Sequence, residues 1–288
     1  MTTMEVLESC LTTEQLKQLA WDFQSAYQSY MFDYQVWSLI EKLCPSNAYA
    51  KIKTLRKKVI GHTIINDLIM KYYPGERVIK YHFIKKYLDN INEVCVFEMN
   101  VNKSRVDISR INGKSMAYEI KTELDSLTKL EKQMLDYSKV FEFSYVLIHE
   151  KHLKKAKEIL PLHSGIIIYE LCNNEFTCWI EQEAEISPLL DKEQQIKNLT
   201  SKDIQFILKS VGEDHIPSGR SQREAILLDV LDSNLLNEYF KIALKKRFSD
   251  RWSHLQKCFN LIQPIDMQVF FNTASDPKWL YYKNSSMV

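Results

Sequence analysis

The sequence predicts an α/β fold of the α+β kind, with a mixed central sheet built in αβββαβ order and set between helical segments. Three observations lead there. Residues 76–87 (ERVIKYHFIKKY) repeat Ile79, Phe83 and Tyr87 at helical spacing. Three runs then alternate apolar and polar side chains, at 94–101, 105–111 and 115–121. A helical stretch from about Ser126 to Phe141 and an apolar run at 143–150 complete the order. Strands and helices mixed in this way require a sheet whose faces are covered by helices.

The bulk numbers set the frame. The chain has 288 residues, of which 45% are hydrophobic and 26% charged, ordinary values for a soluble globular protein. Its formal charge of +1 excludes a uniformly basic nucleic-acid coat and leaves room only for local basic patches. The start MTTMEVLESC has neither the basic opening nor the apolar core of a signal peptide, and no apolar run approaches a membrane span. Six scattered cysteines (Cys10, Cys44, Cys95, Cys172, Cys178, Cys258) contain no CxxC pair. Free thiols in a reducing cytoplasm are expected, with no structural zinc and no membrane association.

Residues 1–74 form an N-terminal helical segment. Thr12 or Thr13 opens a helix that runs to residue 31, with Leu16, Leu19, Ala20 and Phe23 at core spacing. A second covers Tyr27 to Leu43 and stops at Cys44-Pro45, and a third spans Ala48 to Tyr72 before Pro74-Gly75. Residues 75–185 hold the α+β core. Within it Leu127, Leu130, Met134 and Phe141 make the stripe of the helix that follows the third strand. HLKKAKEIL is helical, and GIIIYE and EFTCWI flank Asn173-Asn174 as a final hairpin. Residues 186–288 return to helical periodicity, ending at Pro264. Lys245, Lys246, Arg247 and Arg251 there interleave with Tyr239, Phe248 and Trp252, either as a helical core with solvated charges or as a nucleic-acid-facing patch.

The chemistry concentrates between Glu98 and Tyr137. Alternation puts Ala117, Glu119 and Lys121 on one face of the third strand and Met116, Tyr118 and Ile120 on the other. Asp107 and Glu119 then supply two carboxylates from adjacent strands, and the carbonyl of Ile120 offers a third oxygen. Hard oxygen ligands on rigid strands suit a magnesium or manganese ion. Two carboxylates about 4 Å apart repel by roughly 4 kcal/mol at an effective dielectric near 20, so a divalent cation or a shared proton relieves the pair. Lys121 points the same way and can orient water or steady charge on a phosphate. Parity makes a demand on the turn. A two-residue Asn112-Gly113 loop would put Asp107 opposite Tyr118, on the wrong face. A three-residue loop with left-handed Gly113, or a bulge, is therefore expected.

Taken in order, Asp107, Glu119-Ile120-Lys121 and the Gln133…Tyr137 pair resemble the PD-(D/E)xK nuclease superfamily, with the QxxxY helix of its RecB-like branch. The run RVDI, YEIKTELDSLTKLEKQ, Y and FxxYV is similar to a bacterial group of such proteins, the sce-type (seven-seven-two-six) family. The likeness covers roughly residues 76–170, with a further match in the basic helix ending at Arg251-Trp252. One departure is Val106, where the motif carries proline before the aspartate. The resemblance implies a restriction-endonuclease-like core and Mg2+- or Mn2+-dependent hydrolysis of DNA, with the choice between DNA and RNA left open. It also implies metal ligation by Asp107 and Glu119, help from Glu76 on the first core helix, and a lysine role for Lys121. Gln133 and Tyr137 would order the substrate or the lysine.

Other residues have plainer roles. Glu98 is either an extra acid at the site or the partner of Arg105. Glu123 and Asp125 read as helix-start acids, and His149 and His152 as solvent-facing. The rival function is the same fold without catalysis, binding nucleic acid or a partner protein. A second rival is a nuclease subunit of a phage-defence or mobile-element system that stays silent until a partner or trigger arrives, and a homodimer is compatible with each reading.

Overall fold

The computed structural model describes residues 2–172 and 175–281. These residues group into two compact units, each discontinuous in sequence. One draws on Met1–Lys86, Leu171–Phe176 and His254–Val288, the other on Tyr87–Glu170 and Thr177–Ser253. The sequence places segment bounds at 74/75 and 185/186. They are not the bounds of these units.

The first unit is helical. It contains α1 (Thr3–Glu8), α2 (Thr13–Ala26), α3 (Asp33–Leu43), α4 (Ser46–Ile52), α5 (Gly61–Tyr72) and α6 (Glu76–Lys85). Thr12 caps α2 reciprocally with Gln15, and Leu16, Leu19, Ala20 and Phe23 are buried as their spacing implied. Three expected helices are corrected, and the one placed over Tyr27 to Leu43 begins only at Asp33. The one placed over Thr13 to residue 31 stops at Ala26. The one placed over Ala48–Tyr72 is two helices, because the Asp33 carboxylate accepts the Gly61 amide at 2.7 Å and so fixes a new helix start. A side chain at Gly61 would meet Val36 Cγ1 at 2.8 Å, so glycine is needed for this approach. Asp266 is fully buried and accepts hydroxyl protons from Tyr27 (2.8 Å) and Tyr281 (2.7 Å).

The second unit holds the sheet. Its strands are β1 (Val94–Val101), β2 (Ser104–Ile111), β3 (Ser115–Lys121), β4 (Phe143–His149), β5 (Gly165–Cys172) and β6 (Glu175–Gln182), lying side by side in that order. The first three are antiparallel, while β3, β4 and β5 run parallel, which makes the sheet mixed as expected. The expected turn at Asn173-Asn174 lies outside the described residues. Helix α7 (Leu130–Ser138) connects β3 to β4 and packs on β2, β3 and β4. The longer helix expected from Ser126 is shortened at its start. Asp125 turns back to accept the amide and hydroxyl of Thr122, both at 2.7 Å, which holds 122–125 in a turn. Asp125 is therefore a turn residue, not a helix-start acid. Leu130, Met134 and Phe141 are buried, but Leu127 is only half-buried.

Helices α8 (Leu153–Ile159), α9 (Lys192–Asn198), α10 (Ser201–Ser210), α11 (Arg220–Val230) and α12 (Ser233–Cys258) follow, with α13 (Met267–Thr273) and α14 (Pro277–Tyr281) in the first unit. The basic residues of α12 are largely engaged inside the second unit. Lys241 donates to Gly113 O at 2.9 Å and to Glu142 at 3.0 Å, Arg247 pairs with Asp203, and Lys246 stacks over Phe206. Phe248 and Trp252 are buried. This arrangement is the helical-core reading of that stretch.

Candidate functional site

The backbone register lines up three acids. In the β1–β2 ladder Phe97 pairs with Ile108 and Met99 with Val106, so Glu98 and Asp107 are the pair between them. No ladder pair forms there, because Glu98 adopts a left-handed φ of 55°. In the β2–β3 ladder Ile111 pairs with Ser115 and Ile108 with Tyr118. One more step sets Asp107 across from Glu119. The row Glu98, Asp107, Glu119 thus crosses three neighbouring strands. The turn meets the parity demand with three residues, Asn112-Gly113-Lys114, and Gly113 at φ 90°.

Glu119 is held on all sides. It is 2% exposed. Its Oε1 accepts from Lys121 Nζ at 2.6 Å and from Gln133 Nε2 at 2.5 Å, and its Oε2 accepts from Tyr137 Oη at 2.6 Å. A carboxylate has about four lone-pair positions, so these three bonds leave one for a further partner. Both α7 residues point inward because they stand four apart on the helix face that covers the sheet. Gln133 and Tyr137 reach Lys121 only through the Glu119 carboxylate to which all three donate.

Asp107 is 8% exposed, and its Oδ2 accepts the Ile120 amide at 2.7 Å. Ile120 therefore meets the site through its N–H. Glu98 pairs with the Arg105 guanidinium, which is one of the two roles left open for it. A carboxylate oxygen of Glu98 also lies within 4.8 Å of one on Asp107. Two oxygens on one magnesium ion stand at most about 4.2 Å apart, a spacing of the same scale as the 4.8 Å bound on this pair. The donor set is all oxygen and hard, and it fits Mg2+ or Mn2+ better than a soft transition metal.

Lys121 is charged. Burial works against its ammonium. The Glu119 carboxylate, through charge and hydrogen bond, outweighs that, with Asp107 and Asp125 adding to it, and its pKa stands above the ordinary lysine value. A lysine poised this way is an electrostatic group, not a proton acceptor. Burial, with Glu119 next, likewise pushes the Tyr137 phenol well above the usual tyrosine range, so it stays protonated and donates.

The remaining expected residues are placed as follows. Glu76 opens α6 in the first unit, where Lys80 meets its carboxylate at 2.5 Å. His152 is not solvent-facing, since its Nε2 lies 2.9 Å from Thr122 O, and His149 Nδ1 accepts from the Lys151 amide. From the sequence, Arg105 is expected only as a counter-ion. Its place two residues before Asp107 on an alternating strand was the signal that it shares the site face. Among the described residues none of the six cysteines forms a disulfide.

A family model described as bacteriophage P4 protein cII matches residues 73–270, well over half of the chain. The chain belongs to the bacteriophage P4 protein cII family. The match takes in the whole acid row, Lys121 and α7. Protein cII of Enterobacteria phage P4 is 22% identical over 158 residues, covering 55% of this chain and 59% of the phage protein. The chain thus spans about three-fifths of that P4 cII relative. No solved structure matches.

Proposed function

We propose that this chain is a metal-dependent nuclease that hydrolyses DNA phosphodiester bonds. One observation carries the reading: the register sets Glu98, Asp107 and Glu119 in a row, and the Lys121 ammonium is bonded to its last member at 2.6 Å. Asp107 and Glu119 would hold Mg2+ or Mn2+, with Glu98 beside them. The ion, when bound, supplies Lewis-acid and water-activating chemistry. Lys121 contributes fixed positive charge toward a phosphate whose negative charge grows during hydrolysis. Gln133 and Tyr137 hold the Glu119 carboxylate at a defined angle, and the Ile120 amide does the same for Asp107. The sequence likeness to PD-(D/E)xK nucleases supports the same roles.

The setting we propose is the cytoplasm, in a phage-defence or mobile-element system, which membership of a family described from a bacteriophage supports. Among the described residues no helix is long and apolar enough to cross a membrane. The reaction is tested by cleavage of supercoiled plasmid with magnesium, comparing wild type with Asp107→Ala and Lys121→Ala. The reading expects cutting by wild type alone, and equal cutting by all three removes it. A second reading, the fold without catalysis, draws on the three chain donors that already occupy Glu119. It expects salt-sensitive DNA binding with no metal-dependent cleavage.

A further inference from the structure

Arg105 is placed unlike the other cations of the site. Its side chain is 65% exposed, yet it pairs with Glu98, whose side chain is 12% exposed. Its own carbonyl accepts from Tyr137 Oη at 2.7 Å, so the backbone that carries it is pinned to α7. It precedes Asp107 by two residues on β2 and so projects from the same sheet face. Lys121, by contrast, is largely buried against Glu119 and cannot leave without exposing that carboxylate's charge.

Charge balance gives Arg105 its role. Three carboxylates face Lys121 and Arg105, which leaves the row one negative charge in excess. A bare row of that sign repels a phosphodiester. A divalent ion reverses the sign, and it must compete with Arg105 for Glu98. We propose that Arg105 is a metal-coupled phosphate clamp, closing Glu98 in the metal-free protein and turning to the DNA backbone when a divalent ion takes Glu98. A guanidinium suits the second partner because its planar fork matches two phosphate oxygens as well as a carboxylate. This rests on the nuclease reading of the same site and adds to it an order of events: the metal binds first, and phosphate grip follows.

The test reads binding, not cleavage. Manganese affinity of the full chain is measured by calorimetry without DNA. Binding of a short DNA duplex is measured by anisotropy in calcium over a range of salt. The variants are Arg105→Ala and, as a control for lost charge, Lys103→Ala, which lies exposed in the turn before β2. Arg105→Ala is expected to tighten manganese roughly 3- to 10-fold while weakening DNA about tenfold and lowering the salt slope by about 1. Lys103→Ala should move manganese less than about twofold, within the reach of a solvated charge. Opposite signs for metal and DNA are the signature, since a merely structural arginine would weaken both. Loss of both affinities in Arg105→Ala, or values equal to those of Lys103→Ala, overturns the clamp while wild-type manganese binding leaves the site standing. Absence of manganese binding in wild type overturns the site and the clamp together.

Discussion

Lys121 holds its ammonium 2.6 Å from the carboxylate of Glu119, two residues earlier on the same strand face. The pairing decides what the lysine can do. Its pKa is raised, so it carries charge throughout the neutral range. A folded-state pKa above the unfolded value gives stability that is fully present below the unfolded pKa near 10.4 and lost as pH rises through the folded one. Melting temperature differences between wild type and Lys121→Met should therefore stay flat from pH 6 to about 9 and shrink only above about 10.5. Cleavage by the variant should fall by about 10²- to 10³-fold, the scale of one lost electrostatic donor. A difference that collapses between pH 7 and 8 would mark a lysine with a lowered pKa and contradict this assignment.

Asp107 separates structure from chemistry. Asp107→Ala strands the buried Ile120 amide and should cost about 1–3 kcal/mol in denaturant unfolding. Asp107→Asn keeps an oxygen to accept that amide, so its stability should lie within about 1 kcal/mol of wild type while metal affinity and cleavage are lost.

Much of this geometry could be read from the residues, and the reasons are physical. The alternation of SMAYEIK places β3 to the residue, and the parity argument at Asn112-Gly113 anticipates the three-residue turn that sets Asp107 against Glu119. Local periodicity carries that much. What it cannot carry are contacts made from far along the chain. Asp33 breaks a helix at Gly61, 28 residues away, and Tyr27 meets Asp266 across 239 residues. Thr122 and Asp125 shorten α7 by side-chain bonds to the backbone that compete with its first turn. The left-handed backbone of Glu98 has no signature in residue type, since glutamate is not a residue that favours it.

That backbone gives a prediction of its own. Glycine at position 98 relieves the positive φ, so Glu98→Gly should hold or raise stability, by up to about 1 kcal/mol in chemical denaturation. Manganese affinity should fall in the same variant. Stability and metal binding moving in opposite directions would identify strain kept for the site.

In the helical unit, Asp266 predicts a pH effect of opposite sense to that of a paired surface carboxylate. Burial raises its pKa, against the lowering bonds from Ser29, Tyr281 and Tyr27. The folded state then binds its proton more tightly than the unfolded state, and stability contributed here falls as pH rises from about 4 through the folded pKa. Relative to Asp266→Asn, wild type should gain melting temperature on acidification toward about pH 4. A gain of equal size in both proteins would assign the effect elsewhere.

The most direct measurement is a crystal structure soaked in manganese, read by anomalous scattering. The account predicts one ion bound by Asp107 and Glu119 and reached by Glu98, with the Lys121 ammonium alongside and Arg105 released from Glu98. An ordered Asp107 and Glu119 with no ion between them at millimolar manganese, or carboxylates turned to opposite faces of the sheet, would contradict it.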